Sequence, residues 1–141
     1  MMPKSTDPHA GHVDLWMVLA VIQPFRLDAV TLALESLPGF GGMTVSECQG
    51  FGREKLSEGD SPSEAERISD RSDRRRREFV VDFTSKVRIE VAVAGQDRVD
   101  AVVETITRTA HTGNRGDGKV FAWQLGRAVR VRTFDEGAAA L

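Results

Sequence analysis

The chain has no tyrosine, a single cysteine, and only seven phenylalanines and two tryptophans among its 141 residues. The lone Cys48 excludes an internal disulfide, which suits a reducing, cytoplasmic setting, and its small apolar side chain predicts a buried strand position. No apolar run reaches membrane-spanning length. Residues 15–22 are too few for a secretory signal and lack its basic flank and cleavage pattern. The formal net charge of −2 gives no bias toward nucleic acid or an anionic membrane. What remains is a chain of single-domain length, 40% apolar, with enough hydrophobic material for one core.

Residues 1–13 hold two prolines, a glycine and few apolar side chains, and predict a disordered N-terminal extension. His9 and His12 lie in it without further ligands nearby, so no metal site is expected. Residues 15–22 are continuously apolar and β-branched, the pattern of a central strand buried on both faces. Leu27, Val30, Leu34 and Leu37 form a helical stripe over residues 26–37, stopped by Pro38-Gly39 and Gly41-Gly42. Residues 43–49 predict a second strand. In residues 86–93, Val87, Ile89, Val91 and Val93 alternate against Lys86, Arg88 and Glu90, a half-buried strand whose leading part takes in residues 79–83. Val99, Val102, Val103, Ile106 and Ala110 share one face of a helix over residues 97–111, with Asp97 as N-cap. Residues 120–125 predict a fourth strand and residues 128–133 a short extended segment. The order β-α-β-β-α-β is that of an α+β, ferredoxin-like fold with four antiparallel strands and both helices on one face. The strands' other faces also carry apolar residues, which points to packing between the sheets of several subunits.

Between the two halves lies a segment of opposite character. Residues 53–78 contain eight basic and eight acidic side chains and almost nothing apolar. Such a segment cannot offset its ordering entropy by burial and predicts a long mobile loop held at both ends. Elsewhere, Gly113-Asn114-Arg115-Gly116-Asp117-Gly118-Lys119 has the spacing of a Walker loop. It is followed by Val120 instead of Ser or Thr, and it leaves a helix for a strand, the reverse of the Walker context. Its glycines still let backbone N–H groups approach a phosphate, with Lys119 adding charge. Arg130 and Arg132 alternate on an extended segment, which would aim two guanidinium groups the same way. Gly50-Phe51-Gly52-Arg53 is a turn ending in a cation. These groups suit an anionic ligand, and no nucleophile–base or clustered carboxylate arrangement is legible.

The same residues resemble the PII nitrogen-regulatory signalling proteins. The likeness runs through Gln23-Pro24-Phe25-Arg26-Leu27-Asp28, Gly42-Met43-Thr44-Val45, Gly50-Phe51-Gly52-Arg53, Val80-Val81-Asp82-Phe83, Lys86-Val87-Arg88-Ile89-Glu90, Thr112-Gly113, Gly116-Asp117-Gly118-Lys119-Val120-Phe121 and Arg130-Val131-Arg132-Thr133. The resemblance implies a PII-like domain over residues 14–134, a large partner-binding T-loop at about 51–79, a B-loop at about 112–119, and a flexible tail at 135–141. It implies a homotrimer with ATP or ADP as ligand, and Mg2+ accompanying ATP, in clefts between subunits. Gly116, Gly118 and Lys119 would hold the phosphates, as would Arg53, with Arg130 and Arg132 reaching in from the neighbouring subunit; Gly52 and Asp117 would also belong to the nucleotide-binding set. Thr44, Gly50 and Glu90 would line the nucleoside.

The sequence also departs from the family. The tyrosine that takes a nucleotidyl group in many relatives is absent; Ser57, Ser61, Ser63, Ser69 and Ser72 are alternative modification sites, none singled out. Glu54 stands where the family has a glutamine that helps hold Mg2+ and 2-oxoglutarate, while Lys86 matches the lysine that pairs with that effector. The loop is longer than usual and carries Arg74, Arg75, Arg76 and Arg77, a basic run suited to an acidic partner surface. The expected function is a cytoplasmic, nucleotide-sensing regulator of a transporter or metabolic enzyme, peripheral to a membrane only through that partner, with at most slow ATP hydrolysis. The alternatives are nitrogen regulation through 2-oxoglutarate sensing, or a structural trimer with vestigial sites. An RNA-binding module shares the topology, but residues 86–93 lack its stacking aromatics, so no nucleic-acid partner is expected.

Overall fold

A computed structural model describes residues 12–52 and 83–141. Strand β1 (Leu15–Ile22) leads through a 3-10 turn (Pro24–Arg26) into helix α1 (Leu27–Glu35) and strand β2 (Thr44–Gly50). Strand β3 (Thr84–Ala94), helix α2 (Gln96–Ala110) and strand β4 (Gly118–Leu125) repeat the pattern. The sheet order is β2-β3-β1-β4, with every pairing antiparallel. This is the expected ferredoxin-like arrangement.

Strand alternation decides what the helices cover. Val18, Ala20 and Ile22 of β1 and Val87, Ile89, Val91 and Val93 of β3 join Val30 and Leu34 of α1 and Val99, Val102, Ile106 and Ala110 of α2 in one core. Both predicted helical stripes and the alternation in β3 lie in or against this core. Arg26 ties the first turn to the end of α2: its Nε donates to the Thr109 carbonyl at 3.0 Å, and its Nη2 bonds the same oxygen. A cation there satisfies an orphan carbonyl of the last helical turn.

The structure corrects several expectations. β1 is central but not buried on both faces. Met17, Leu19 and Val21 are only half-buried, because both helices lie on the other side. Beside them in register are Trp123 and Phe121 of β4, 43% and 50% exposed. Asp97 is not the N-cap of α2. Gly95 is, its carbonyl accepting from the Val99 N–H at 3.2 Å, and Asp97 falls in the first turn, where its charge favours the helix dipole. Cys48, on the edge strand β2, is half-buried, since an edge position leaves one flank uncovered. β3 begins at Thr84, with Phe83 outside it, and residues 79–82 lie outside the described residues. β4 begins at Gly118, so Lys119 belongs to the sheet.

The segment after β4 also differs from the extended piece predicted for residues 128–133. Val129 bridges Glu136, and the chain turns back through residues 131–133. The Phe134 N–H donates to the Arg130 carbonyl at 2.8 Å and the Arg130 N–H to the Asp135 carbonyl at 2.9 Å. Thr133 Oγ1 closes the turn onto Asp135 Oδ2 at 2.5 Å. Local hydroxyl and carboxylate groups thus compete successfully with strand extension, and Arg130 and Arg132 do not share one strand face. Residues 137–140 form a 3-10 turn (Gly137–Ala140), where the sequence predicts only a fraying tail.

Leu34 is fully buried and Leu32, on the same helix, 65% exposed. Leu34→Ala should therefore cost about 2–5 kcal/mol through lost burial and a residual cavity, whereas Leu32→Ala should stay within about 0.5 kcal/mol. Urea unfolding at fixed protein concentration measures both.

Candidate functional site

One corner of the sheet gathers residues from four separate parts of the chain. Lys86 enters from β3, opposite Cys48 in the ladder. Its Nζ donates to the Gly116 carbonyl at 2.5 Å. A β-carbon on Gly116 would stand 2.9 Å from Gln23 Nε2 and 3.1 Å from Lys86 Nζ, and one on Gly50 would stand 3.3 Å from Lys86 Cγ. Lys86 thus links the end of β2, the glycine turn and the end of β1. A crevice of about 410 Å³ opens beside it, lined by Pro24, Glu47, Cys48, Gln49, Ser85 and Val87.

The described residues that flank the long polar segment are fastened to one another at this corner. The Phe51 and Phe83 rings lie 6.1 Å apart between centroids, tilted by 55°. Thr84 Oγ1 donates to the Gly50 carbonyl at 3.3 Å. Arg53, Glu54 and Arg74 to Arg77 lie outside the described residues, as do the five serines.

Asp117 builds the glycine turn and is placed as its organiser. Its Oδ2 accepts from the Thr112 N–H at 2.7 Å and the Gly113 N–H at 2.9 Å. Its Oδ1 accepts from the Thr112 hydroxyl, and His111 Nδ1 lies 3.8 Å away. The Thr112 hydroxyl and then the Thr112 N–H hold the carboxyl below its usual range against desolvation, with the Gly113 N–H and the nearby His111 adding lesser contributions. The resemblance counts Asp117 among the nucleotide-binding residues; within the chain its carboxylate folds the loop, a role that glycine spacing does not reveal.

Gly118 is fixed by a close approach. A β-carbon there would fall 1.8 Å from the Val21 carbonyl oxygen, at φ +110°. The position admits only glycine, and the contact sets where β4 meets β1. Lys119, next in the strand, borders a cleft with Thr107, His111 and Asp117.

The predicted ligand residues do not all meet within one chain. Thr44 pairs with Glu90 at one end of the β2–β3 ladder and Gly50 with Thr84 at the other. Six steps along the strand separate these ends by about 20 Å. Gly50, Lys86, Gly116, Gly118 and Lys119 gather near one end. Arg130 is elsewhere, its guanidinium bonded to the Ala140 and Leu141 carbonyls. Leu141 in turn lies against Gly41, its carbonyl carbon 3.6 Å from where a β-carbon of Gly41 would be, three residues before Thr44. Arg132 is exposed in the turn. Gln23 opens the segment Gln23-Pro24-Phe25-Arg26-Leu27-Asp28 and Gly41 the helix-stopping pair Gly41-Gly42, but the sequence gives neither a place at the site, and only the folded backbone brings them to these positions. Among the described residues no cluster of three His, Cys, Asp or Glu side chains could hold a metal ion, and no helix is long and apolar enough to cross a membrane.

The class defined by this geometry is a ferredoxin-like domain with a lysine-centred, glycine-rich corner where β2 ends and β3 begins. Residues 15–135 match the family described as Nitrogen regulatory protein P-II. The Nitrogen regulatory protein P-II of Klebsiella oxytoca is 44% identical over 122 residues, covering 86% of this chain and 96% of the relative. The Nitrogen regulatory protein GlnK of Escherichia coli K12 is 40% identical over 125 residues, covering 89% and 98%. Among solved structures, the Bacillus subtilis GlnK–ATP complex superposes with a TM-score of 0.68 at 25% identity, covering 91% of this chain and 98% of the other. Arabidopsis thaliana PII bound to citrate superposes with 0.65 at 31% identity, covering 91% and 92%. The chain belongs to the P-II family.

Because the Asp117 carboxyl is held below its ordinary value, the unfolded loop binds a proton more readily than the folded one. The order it confers is complete above the ordinary carboxylate pKa of about 3.9 and is lost as pH falls through the lower folded value. The Thr112 and Gly113 amide resonances should shift together on acidification below about pH 4. In Asp117→Asn that titration should vanish, and the loop should exchange its amide protons faster at neutral pH.

Proposed function

We propose that this protein is a signalling regulator of nitrogen metabolism or of an associated transporter or enzyme, and that it senses ATP and ADP as a homotrimer. The observation that carries the reading is the division of the ligand residues between distant places in one chain. One group offers Lys86, Lys119 and the glycine turn for phosphates. The other offers Thr44, Glu90 and Arg130. A second copy of the chain, presenting its other group, would complete a nucleotide site. The ATP carried by the Bacillus subtilis relative supports this ligand. The half-exposed sheet face of Met17, Leu19, Phe121 and Trp123 supplies an apolar surface for assembly.

The output would pass through Lys86. A phosphate or carboxylate arriving at the corner would compete with the Gly116 carbonyl for its ammonium group, beside the Gly50–Thr84 and Phe51–Phe83 contacts that fasten the loop. Ligands that differ in charge, such as ADP and ATP with Mg2+, would then bias the loop differently. Arg74 to Arg77 would dock it on an acidic partner surface. We read the protein as a cytoplasmic regulator, with ATP hydrolysis at most a slow side reaction.

A second reading adds a carboxylate effector such as 2-oxoglutarate at Lys86. The 410 Å³ crevice beside this lysine favours it, as does the citrate bound to the Arabidopsis thaliana relative. Glu54 would oppose such a ligand unless Mg2+ intervened.

Calorimetry should give micromolar binding of ATP and ADP. Lys119→Ala with Arg130→Ala should weaken it by at least about a hundredfold, each variant removing a charge-assisted bond of about 1.5–3 kcal/mol. No heat with either nucleotide at millimolar concentration leaves a structural trimer with vestigial sites. 2-Oxoglutarate that binds only with ATP and Mg2+, and not to Lys86→Ala, supports the second reading. Light scattering should give three times the 15.5 kDa chain mass, and Trp123→Glu should lower it; a native monomer removes the assembly reading.

A further inference from the structure

We infer that the C-terminal turn is an internal competitor for Arg130, and that nucleotide and tail exclude one another there. The inference rests on the proposed nucleotide site and concerns what regulates it. Arg130 Nη2 donates to the Leu141 carbonyl at 2.8 Å and Nε to the Ala140 carbonyl at 3.4 Å. These two nitrogens form one edge of the guanidinium plane, an edge that a phosphate takes with two parallel bonds. The same edge cannot serve both.

The tail is delivered to this place by several contacts. Val129 bridges Glu136, and the Gly137 N–H donates to the Ala128 carbonyl at 3.1 Å. Arg127 pairs with Glu136 at 2.5 Å. The Leu141 N–H closes the last turn on the Ala138 carbonyl at 3.3 Å. Leu141 then rests beside Gly41, on the approach to Thr44, so the tail lies over Arg130 and next to a second element of the same group. Its hold is weak enough to be displaced. The Nε contact is long, at 3.4 Å, and a phosphate would bring several charged oxygens and two short parallel bonds to the same donors. The competition sets a threshold: the apparent nucleotide affinity falls by the fraction of sites with the tail undocked.

Two measurements test this. A chain ending at Gly137 should bind ATP about tenfold more tightly in calorimetry than the full chain, the gain expected when docking leaves about one site in ten open. In the full chain, carboxypeptidase should release Leu141 slowly; saturating ATP should speed the release, and Arg130→Ala should speed it without ATP. Equal ATP affinity of the two chains, or release of Leu141 indifferent to bound ATP, overturns the competition while leaving nucleotide binding intact. Absence of heat from both chains overturns the nucleotide reading and the competition with it. Rapid release from the full chain, unchanged in Arg130→Ala, shows that the tail is not docked and overturns the inference whatever the nucleotide does.

Discussion

Two helices can cover one face of a four-stranded sheet and no more, and the other properties of this chain turn on that limit. α1 and α2 seal Val18, Ala20, Ile22, Val87, Ile89, Val91 and Val93 into the core. The opposite face is left with Met17, Leu19 and Val21 half-buried and Phe121 and Trp123 open. Alternation forces this outcome, because every residue that faces the helices places its neighbours on the other side. An apolar face of this kind is stable in water when another surface meets it. In the proposed trimer the covering surface is a second copy, and the same event that buries the face brings together two groups of ligand residues that a single chain holds apart.

The corner at Lys86 is built by backbone geometry before any side chain is chosen for a ligand. Val21 and Gly118 come so close that β4 can meet β1 in only this way, which fixes Lys119 at the head of the strand. Asp117 then uses its carboxylate to gather the N–H groups of Thr112 and Gly113, so the chain's own side chain shapes the turn. The Gly116 carbonyl, presented by that turn, accepts from Lys86. A loop folded in advance loses less entropy on binding than one ordered by its ligand. The cost is electrostatic: a carboxylate stands within a turn proposed to approach phosphates. Its saturation by donors limits the repulsion, which accounts for an acidic residue in such a place.

Much of the fold was legible because period decides it. Val87, Ile89, Val91 and Val93 can share a face only in a strand, and Val99, Val102, Ile106 and Ala110 only on a helix. The errors arose where period is silent. Asp97 has good capping chemistry, yet Gly95, at φ +95°, already provides the turn into α2, and a single residue's propensity does not outweigh it. Arg130 and Arg132 alternate in sequence, but Thr133 and Asp135 close a turn between short-range partners, and alternation means nothing in a turn. Residues 15–22 are apolar throughout, which suggested two buried faces; the pattern records a surface meant to be covered and is blind to whether the cover belongs to the same chain. In the site, motif and resemblance point to Lys86, Gly116, Gly118 and Lys119, whereas Gln23 and Gly41 stand in quoted segments that give them no role there until the backbone is folded.

The tail extends the same logic. Residues 136–141 contain little to bury, and on composition alone they have no reason to stay. What holds them is a set of backbone hydrogen bonds and one arginine, interactions that hydropathy does not register. Such a contact would yield to a ligand that brings a phosphate's several charged oxygens to the same guanidinium edge, since one of the two bonds that hold the tail there is long, at 3.4 Å. A guanidinium left bare would attract any phosphate, including inorganic phosphate. One covered by the chain's own carbonyls would yield only to a ligand that also makes contacts elsewhere, at the glycine turn and along Thr44 and Glu90. Selectivity for a whole nucleotide over its phosphate fragment would then come from the displacement that binding requires, as well as from the contacts that binding makes.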